Sequence, residues 1–158
     1  VNMTGGELEQ GYIDLVSDVR ESINIPLAVK ISPYFSSTAS MCRRLVEAGA
    51  SGLVLFNRFY QPDIQIDGMR LQHTLTPTRS TDALLAMRWA AILHGRVDCS
   101  IGATGGIYTA EDAIKLLLAG ADVPVVPVVD AVAVEVALRD LRPVFARVGR
   151  GVVGDGVL

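Results

Sequence analysis

The sequence predicts an α/β protein whose strands run parallel and alternate with helices, and three observations carry that reading. Short runs of strand length recur at Leu27–Ile31, Leu53–Phe56, Val97–Ile101 and Val123–Val129, the first two aliphatic enough to be buried strands. Between them lie segments with apolar residues at helical spacing. Two Ala-Gly-Ala stops, Ala48-Gly49-Ala50 and Ala119-Gly120-Ala121, each separate such a segment from the next apolar run, so the chain is a series of similar units. A (β/α)8 barrel and an open doubly wound sheet both satisfy this pattern. A complete barrel needs about 250 residues, so a chain of 158 holds only about half of one.

Taken in order, Thr4 or the glycines after it open a first helix over about Glu7–Ile23, with Leu8, Tyr12, Leu15, Val16 and Val19 as its apolar stripe. Asn24 stops it and Pro26 leads into the first strand, which Pro33 ends. Ser36, Ser37 and Thr38 offer N-cap oxygens to a second helix with Met41, Cys42, Leu45 and Val46 on one face. Gly49 suits the left-handed position after that helix. The second strand, Leu53–Phe56, is followed by a polar excursion from Arg58 to Arg79, whose alternation fits a small hairpin on the rim. Ser80 or Thr81 caps a third helix through Leu84, Leu85, Met87, Arg88 and Ile92. After the third strand, Thr109, Glu111 and Asp112 form a start signal close to a capping box, ahead of Ile114, Leu117 and Leu118.

Composition narrows the function classes. Half of the residues are hydrophobic and 20% are charged, ample for a core. A net charge of -3 without a basic run gives no reason to expect nucleic acid or an anionic membrane as partner. Cys42 and Cys99 lie far apart and lack zinc-ligand spacing, so no metal site is expected, and a reducing cytoplasm suits them. No apolar stretch is long enough to span a bilayer. The first residues, VNMTGGELEQ, have neither a basic nor an apolar leader region. Because Val1 stands just before a helix with no initiator methionine, the chain is expected to begin inside a longer gene product.

Three places could carry chemistry. Gly102-Ala103-Thr104-Gly105-Gly106-Ile107 follows a strand and precedes the helix at Thr109. Glycines there let backbone N–H groups approach an anion, and the helix N-terminus adds a favourable dipole. The spacing is neither Gly-x-Gly-x-x-Gly nor a P-loop, and a tight turn without a ligand is the plain alternative to a phosphate site. Lys30 lies on a strand where Leu27, Val29 and Ile31 point one way and Ala28, Lys30 and Ser32 the other. Near the C-terminal end of a buried strand it points into a barrel mouth, where an unpaired charge calls for an anionic or electron-rich partner; an edge-strand lysine facing water is the alternative. Asn57 ends the second strand, and its amide can both donate to and accept from a planar heterocycle, or serve a turn. Arg58 reads as a solvated rim residue, Phe59 and Trp89 as packing, and His73 and His94 lie outside any triad or metal spacing.

Three motifs in this order resemble one family. Ala28-Val29-Lys30-Ile31-Ser32-Pro33-Tyr34-Phe35, Gly52-Leu53-Val54-Leu55-Phe56-Asn57-Arg58-Phe59, and Ala103-Thr104-Gly105-Gly106-Ile107 with Ala110-Glu111-Asp112-Ala113 look like dihydroorotate dehydrogenases of the soluble class. Asn57-Arg58-Phe59-Tyr60-Gln61-Pro62-Asp63 is similar to the dihydroorotate dehydrogenase-like branch, and the likeness covers about residues 3–122. It implies the C-terminal portion of a (β/α)8 barrel holding FMN, which oxidises dihydroorotate to orotate in pyrimidine synthesis, as a homodimer in the full-length family. By position, the resemblance implies that Lys30 contacts the flavin ring and that Asn57 hydrogen-bonds the pyrimidine or sits beside the flavin. It gives Thr104, Gly105 and Gly106 to the cofactor, the two glycines offering N–H groups to the phosphate.

Two departures accompany the likeness. The family's catalytic base, a cysteine or serine, belongs to a loop before Lys30 in a segment upstream of Val1, and neither Cys42 nor Cys99 matches it, so no turnover is expected of this polypeptide alone. From Val123 the tail is dominated by Val, Ala, Arg, Gly, Asp and Pro and contains no lysine. Residues 1–122 are thus expected to be half of an FMN-binding barrel and 123–158 an atypical end, either translated from a shifted frame in GC-rich DNA or an authentic divergent C-terminus. Pro124, Pro127 and Asp130 stand where the family has a further glycine-containing phosphate loop. The rival readings are a flavin barrel acting on another heterocycle, a non-catalytic module binding a phosphate ligand, and a fragment with exposed barrel edges and no activity.

Overall fold

The computed structural model describes residues 2–58, 62–72 and 78–125. The tail beyond Val125, most of the atypical end expected over 123–158, lies outside the described residues, as do Phe59 and His73. The elements are α1 (Gly5–Ser22), β1 (Ala28–Ile31), α2 (Thr38–Glu47), β2 (Gly52–Leu55), β3 (Asp63–Gln65), β4 (Arg70–Gln72), a 3-10 turn (Ser80–Asp82), α3 (Ala83–Leu93), β5 (Ser100–Thr104), α4 (Ala110–Leu118) and β6 (Val123–Val125).

The capping box expected at Thr109 forms, and Thr4, named as one possible opener of the first helix, forms one as well. The Thr4 hydroxyl accepts from the Glu7 N–H at 3.3 Å while the Glu7 carboxylate accepts from the Thr4 N–H at 2.7 Å. The apolar stripe of α1 is another matter. Val16 is buried, but Leu8, Tyr12 and Leu15 are 51%, 45% and 59% exposed. Among the described residues α1 is held to α2 by polar links: Glu9 pairs with Arg44 at 3.4 Å, and Arg44 donates to Gln10 at 2.7 Å.

Strands β1, β2, β5 and β6 form one parallel sheet in the order β1-β2-β5-β6. The order follows the chain without reversal, so the sheet has no switch point of the doubly wound kind and matches a run of consecutive barrel strands. Ile31, Leu53, Leu55, Ile101 and Ala103 are buried in a single cluster with Met41, Cys42 and Leu45 of α2, Ala86, Ala90 and Leu93 of α3, and Ala113 and Leu116 of α4. Alternation then turns Lys30, Val54, Gly102 and Thr104 to the opposite face. Helices thus cover one face of the sheet.

Two expectations shift. The third strand runs over Ser100–Thr104 rather than 97–101, because Gly102 and Ala103 continue the ladder against Val54 and Leu55. A Cβ on Gly102 would stand 3.5 Å from a Val54 methyl, an ordinary contact, so the strand pairing itself does not demand glycine there. In α3 the residues facing the sheet are Ala83, Ala86, Ala90 and Leu93, while Leu84 and Leu85 are exposed. The rim hairpin forms as expected: β3 and β4 pair antiparallel, with Ile64, Ile66, Met69 and Leu71 all exposed.

β6 is clipped to β5 at its base, where Asp122 donates its N–H to the Ile101 carbonyl at 2.8 Å and its carboxylate accepts from the Ile101 N–H at 2.7 Å. Past this point the strand stays in register, with Pro124 opposite Ala103 and Val125 opposite Thr104, so the pairing with β5 runs on through the proline.

Gly120 (φ +103°) closes α4, and an added Cβ would lie 2.6 Å from the His94 side chain, whose Nδ1 meets the Gly120 carbonyl at 3.2 Å. Gly120→Ala should therefore lower stability by about 1–3 kcal/mol, through left-handed strain and overpacking together. Urea unfolding checks it, and a midpoint equal to that of the unsubstituted chain would contradict it.

Candidate functional site

The sheet register brings the sequence-predicted residues to one rim. Lys30 stands opposite Val54, and Val54 opposite Gly102. Lys30 and Gly102 are therefore separated by two strand spacings, about 10 Å. Just past β2, Asn57 prolongs the ladder: its N–H donates to the Ile31 carbonyl at 2.7 Å and its amide Nδ2 to the Lys30 carbonyl at 3.4 Å. Both side chains are exposed. Residues 27 apart in sequence thus meet at the C-terminal ends of adjacent strands. Lys30 has no acidic partner among the described residues.

Thr104, Gly105 and Gly106 end β5 on the same rim, and the two glycines differ in their surroundings. Both have positive φ, +93° and +70°. A Cβ on Gly105 would meet nothing within 4 Å, whereas one on Gly106 would lie 2.5 Å from the Ala83 nitrogen and 2.6 Å from the Arg79 carbonyl oxygen. Gly106 is required by packing against the start of α3; Gly105 faces open space.

Asp112 organises the turn from below. Its carboxylate accepts from the N–H groups of Tyr108 (3.1 Å) and Thr109 (3.0 Å) and from the Ser80 hydroxyl (3.2 Å). The Thr109 hydroxyl in return accepts from the Asp112 N–H at 3.2 Å. The Tyr108 hydroxyl meets both the carbonyl and the hydroxyl of Thr78, the latter at 2.8 Å. Sequence reasoning found Thr109 and Asp112 through their capping spacing and read Ser80 only as a cap of the third helix; the links of Tyr108 to Thr78 and of Ser80 to Asp112 gave no signal because they span 30 and 32 residues.

The remaining candidates divide plainly. Burial, reinforced by the neighbouring Cys99, pushes the Cys42 thiol up to about 12, and burial likewise raises Cys99, so both are neutral thiols near pH 7. His94 serves the α3–α4 contact and Trp89 packs against the core. A cleft of about 200 Å³ lies between the Ser80–Asp82 turn, α3 and α4, lined by Ser80, Thr81, Leu84, Met87, Asp112 and Lys115; it contains none of the predicted site residues. No group of three or more metal-ligating side chains occurs among the described residues, and no helix there is long and apolar enough to cross a membrane.

Burial alone would raise the Asp112 carboxyl, but the hydrogen bonds from Tyr108, Thr109 and Ser80 outweigh it and hold the group below its ordinary 3.8. A depressed folded-state pKa contributes stability above the unfolded value, and that stability is lost as pH falls through the folded value. Asp112→Asn should therefore lower stability at neutral pH and flatten the loss of stability below about pH 4. Denaturant midpoints against pH test this; an acid limb as steep as the parent's would refute it.

No protein-family profile matches the chain. It is 35% identical over 134 residues to the catalytic subunit of dihydroorotate dehydrogenase B (NAD(+)) from Geotalea uraniireducens (strain Rf4), covering 77% of this chain and 44% of that one. It is 34% identical over 113 residues to the same subunit from Petrotoga mobilis (strain DSM 10674 / SJ95), covering 68% and 37%. The chain thus spans less than half the length of these curated relatives. Among solved structures, the dihydroorotate dehydrogenase of Eimeria tenella in complex with ferulenol superposes with a TM-score of 0.55 at 20% identity, over 95% of this chain and 47% of that one. Motifs, strand order and these similarities agree with the resemblance read from the sequence. The chain is a relative of the dihydroorotate dehydrogenases and carries a portion of a (β/α)8 barrel.

Proposed function

We propose that this chain supplies the FMN-binding, C-terminal part of a barrel that oxidises dihydroorotate to orotate in pyrimidine synthesis. The observation that carries the reading is the common rim: a lysine without an acidic partner among the described residues, an asparagine hydrogen-bonded to its strand, and an open glycine turn on neighbouring parallel strands. The rim suits the cofactor. Gly102 and Val54 keep the face between Lys30 and Thr104 low, about 10 Å across, enough for a flat fused ring. Gly105, with open space where a side chain would stand, admits a phosphate close to the backbone.

Bound FMN supplies the hydride acceptor for the C–H bond of the substrate. The chain's own residues then have separate tasks. Lys30 places a fixed positive charge beside the ring edge that gains electron density. Asn57 uses one amide hydrogen on the Lys30 carbonyl, which fixes the side chain and leaves its oxygen and second hydrogen for the edge of a pyrimidine. Thr104, Gly105 and Gly106 hold the phosphate end, at the N-terminal side of α4.

The base that takes the substrate proton is assigned to a part of the barrel preceding Lys30. Two features support this: both cysteines of the chain are neutral thiols, and the chain matches less than half of its relatives' length. The 158-residue polypeptide is accordingly expected to be inactive by itself.

Titrating the purified chain with FMN while following flavin absorbance and fluorescence tests the reading. Saturable binding is expected, with a spectral change on adding orotate and no dihydroorotate-dependent dye reduction. Lys30→Ala should weaken FMN binding about tenfold, the equivalent of one charge-assisted hydrogen bond. Absence of flavin binding would sink the proposal. Binding that ignores orotate would point to a flavin barrel for another heterocycle, and dye reduction by the chain alone would overturn the assignment of the base.

A further inference from the structure

Between β2 and α3 the chain leaves the sheet and returns at Thr78, and that return is tied to the glycine turn at three separate places. Tyr108 reaches across to Thr78, accepting from its hydroxyl at 2.8 Å and donating to its carbonyl. Ser80 donates to the Asp112 carboxylate at 3.2 Å, the same carboxylate that holds the Tyr108 and Thr109 N–H groups. Gly106 lies so close to the Arg79 carbonyl and Ala83 nitrogen that a Cβ cannot enter. Asp82 stiffens the returning segment itself, its carboxylate accepting from the Arg79 N–H at 2.8 Å.

Of these ties, the Gly106 contact is backbone against backbone and the Asp112 contacts belong to the cap of α4. Tyr108 is different. Its N–H is anchored to the cap while its hydroxyl, at the far end of a rigid ring, holds the other segment. It is 37% exposed, so it is not there to fill the core. A phenol reaching from residue 108 fixes the distance between the turn that begins at Gly105 and the segment that begins at Thr78.

We propose that Tyr108 is a positioning residue for the phosphate turn: it joins Thr78–Asp82 and Gly105–Thr109 into one clamp, so that the turn keeps the shape an anion needs. The proposal rests on the functional reading above for the nature of the ligand, but not for the clamp itself. Because both segments move together, a ligand at Gly105 also slows opening at Thr78, and the reciprocal holds by linkage.

The test uses the full chain and its Tyr108→Phe, Thr78→Val and doubly substituted forms. Tyr108→Phe keeps the ring and removes the hydroxyl. Without ligand, amide hydrogen exchange should rise severalfold at both 78–82 and 105–109 and stay unchanged at Ala113–Leu116. The double variant should exchange no faster than Tyr108→Phe alone, which already removes both bonds, while Thr78→Val keeps the carbonyl acceptor and should have the smaller effect. FMN affinity should fall about fivefold to tenfold in Tyr108→Phe. Unchanged exchange at 78–82 in Tyr108→Phe, or additive effects in the double variant, overturns the clamp. Equal FMN affinity in a parent and a Tyr108→Phe chain that both bind overturns its role at the phosphate. If the parent takes no FMN, the functional reading falls instead, and the exchange pattern alone decides the clamp.

Discussion

Opposite Lys30 lies Val54, and opposite Val54 lies Gly102; the site is built on that row of a parallel ladder. A strand has only two faces, and moving one strand along its neighbour by one residue exchanges them. Here the register is held by Leu53, Leu55, Ile101 and Ala103, each at most 2% exposed beneath the helices. To slip β2 by one place would lift Leu53 and Leu55 out of the core and send Val54 in. The apolar packing on one side therefore fixes the polar arrangement on the other. Stability and chemistry are separated by the thickness of one sheet.

The loops follow the same division of labour. Parallel strands place all their C-terminal ends on one rim, so the segments leaving β1, β2 and β5 become neighbours whatever their sequence separation. Each is then secured by a local device. Asn57 binds back to the strand beside it, Asp112 gathers three donors at the head of α4, and Gly106 lets the turn lie against the start of α3. The rim is ordered by hydrogen bonds and close backbone approach, with Ile107 of the glycine turn and Phe56 beside Asn57 anchored in the core beneath it.

Much of this was legible in the sequence where the signal is local. The capping residues Thr4 and Thr109, the left-handed Gly49, the rim hairpin and the alternation of strands with helices all declare themselves within a few residues. The bounds of β5 did not, because Gly102 reads as a loop residue until Val54 is seen beside it. The buried side of α3 was also misjudged: Leu84 and Leu85 are the stronger hydrophobes, but Ala83, Ala86 and Ala90 fit the close approach of helix to sheet. Family likeness gave Lys30 and Asn57 to the same site, but the hydrogen bond between them was not foreseen, since nothing local links residues 27 apart. Tyr108 was missed for the same reason, its partner Thr78 lying 30 residues back.

Asp122 shows how a side chain can stand in for backbone. Its N–H reaches the Ile101 carbonyl, and its carboxylate takes the Ile101 N–H that a longer β6 would have met with a carbonyl of its own. One residue thereby occupies both polar groups of Ile101, which lies buried in the core cluster. A buried amide left without an acceptor would cost about 1–3 kcal/mol, so the carboxylate serves as an extra rung at the foot of the sheet. The short β6 is seated there just ahead of its first pair with β5.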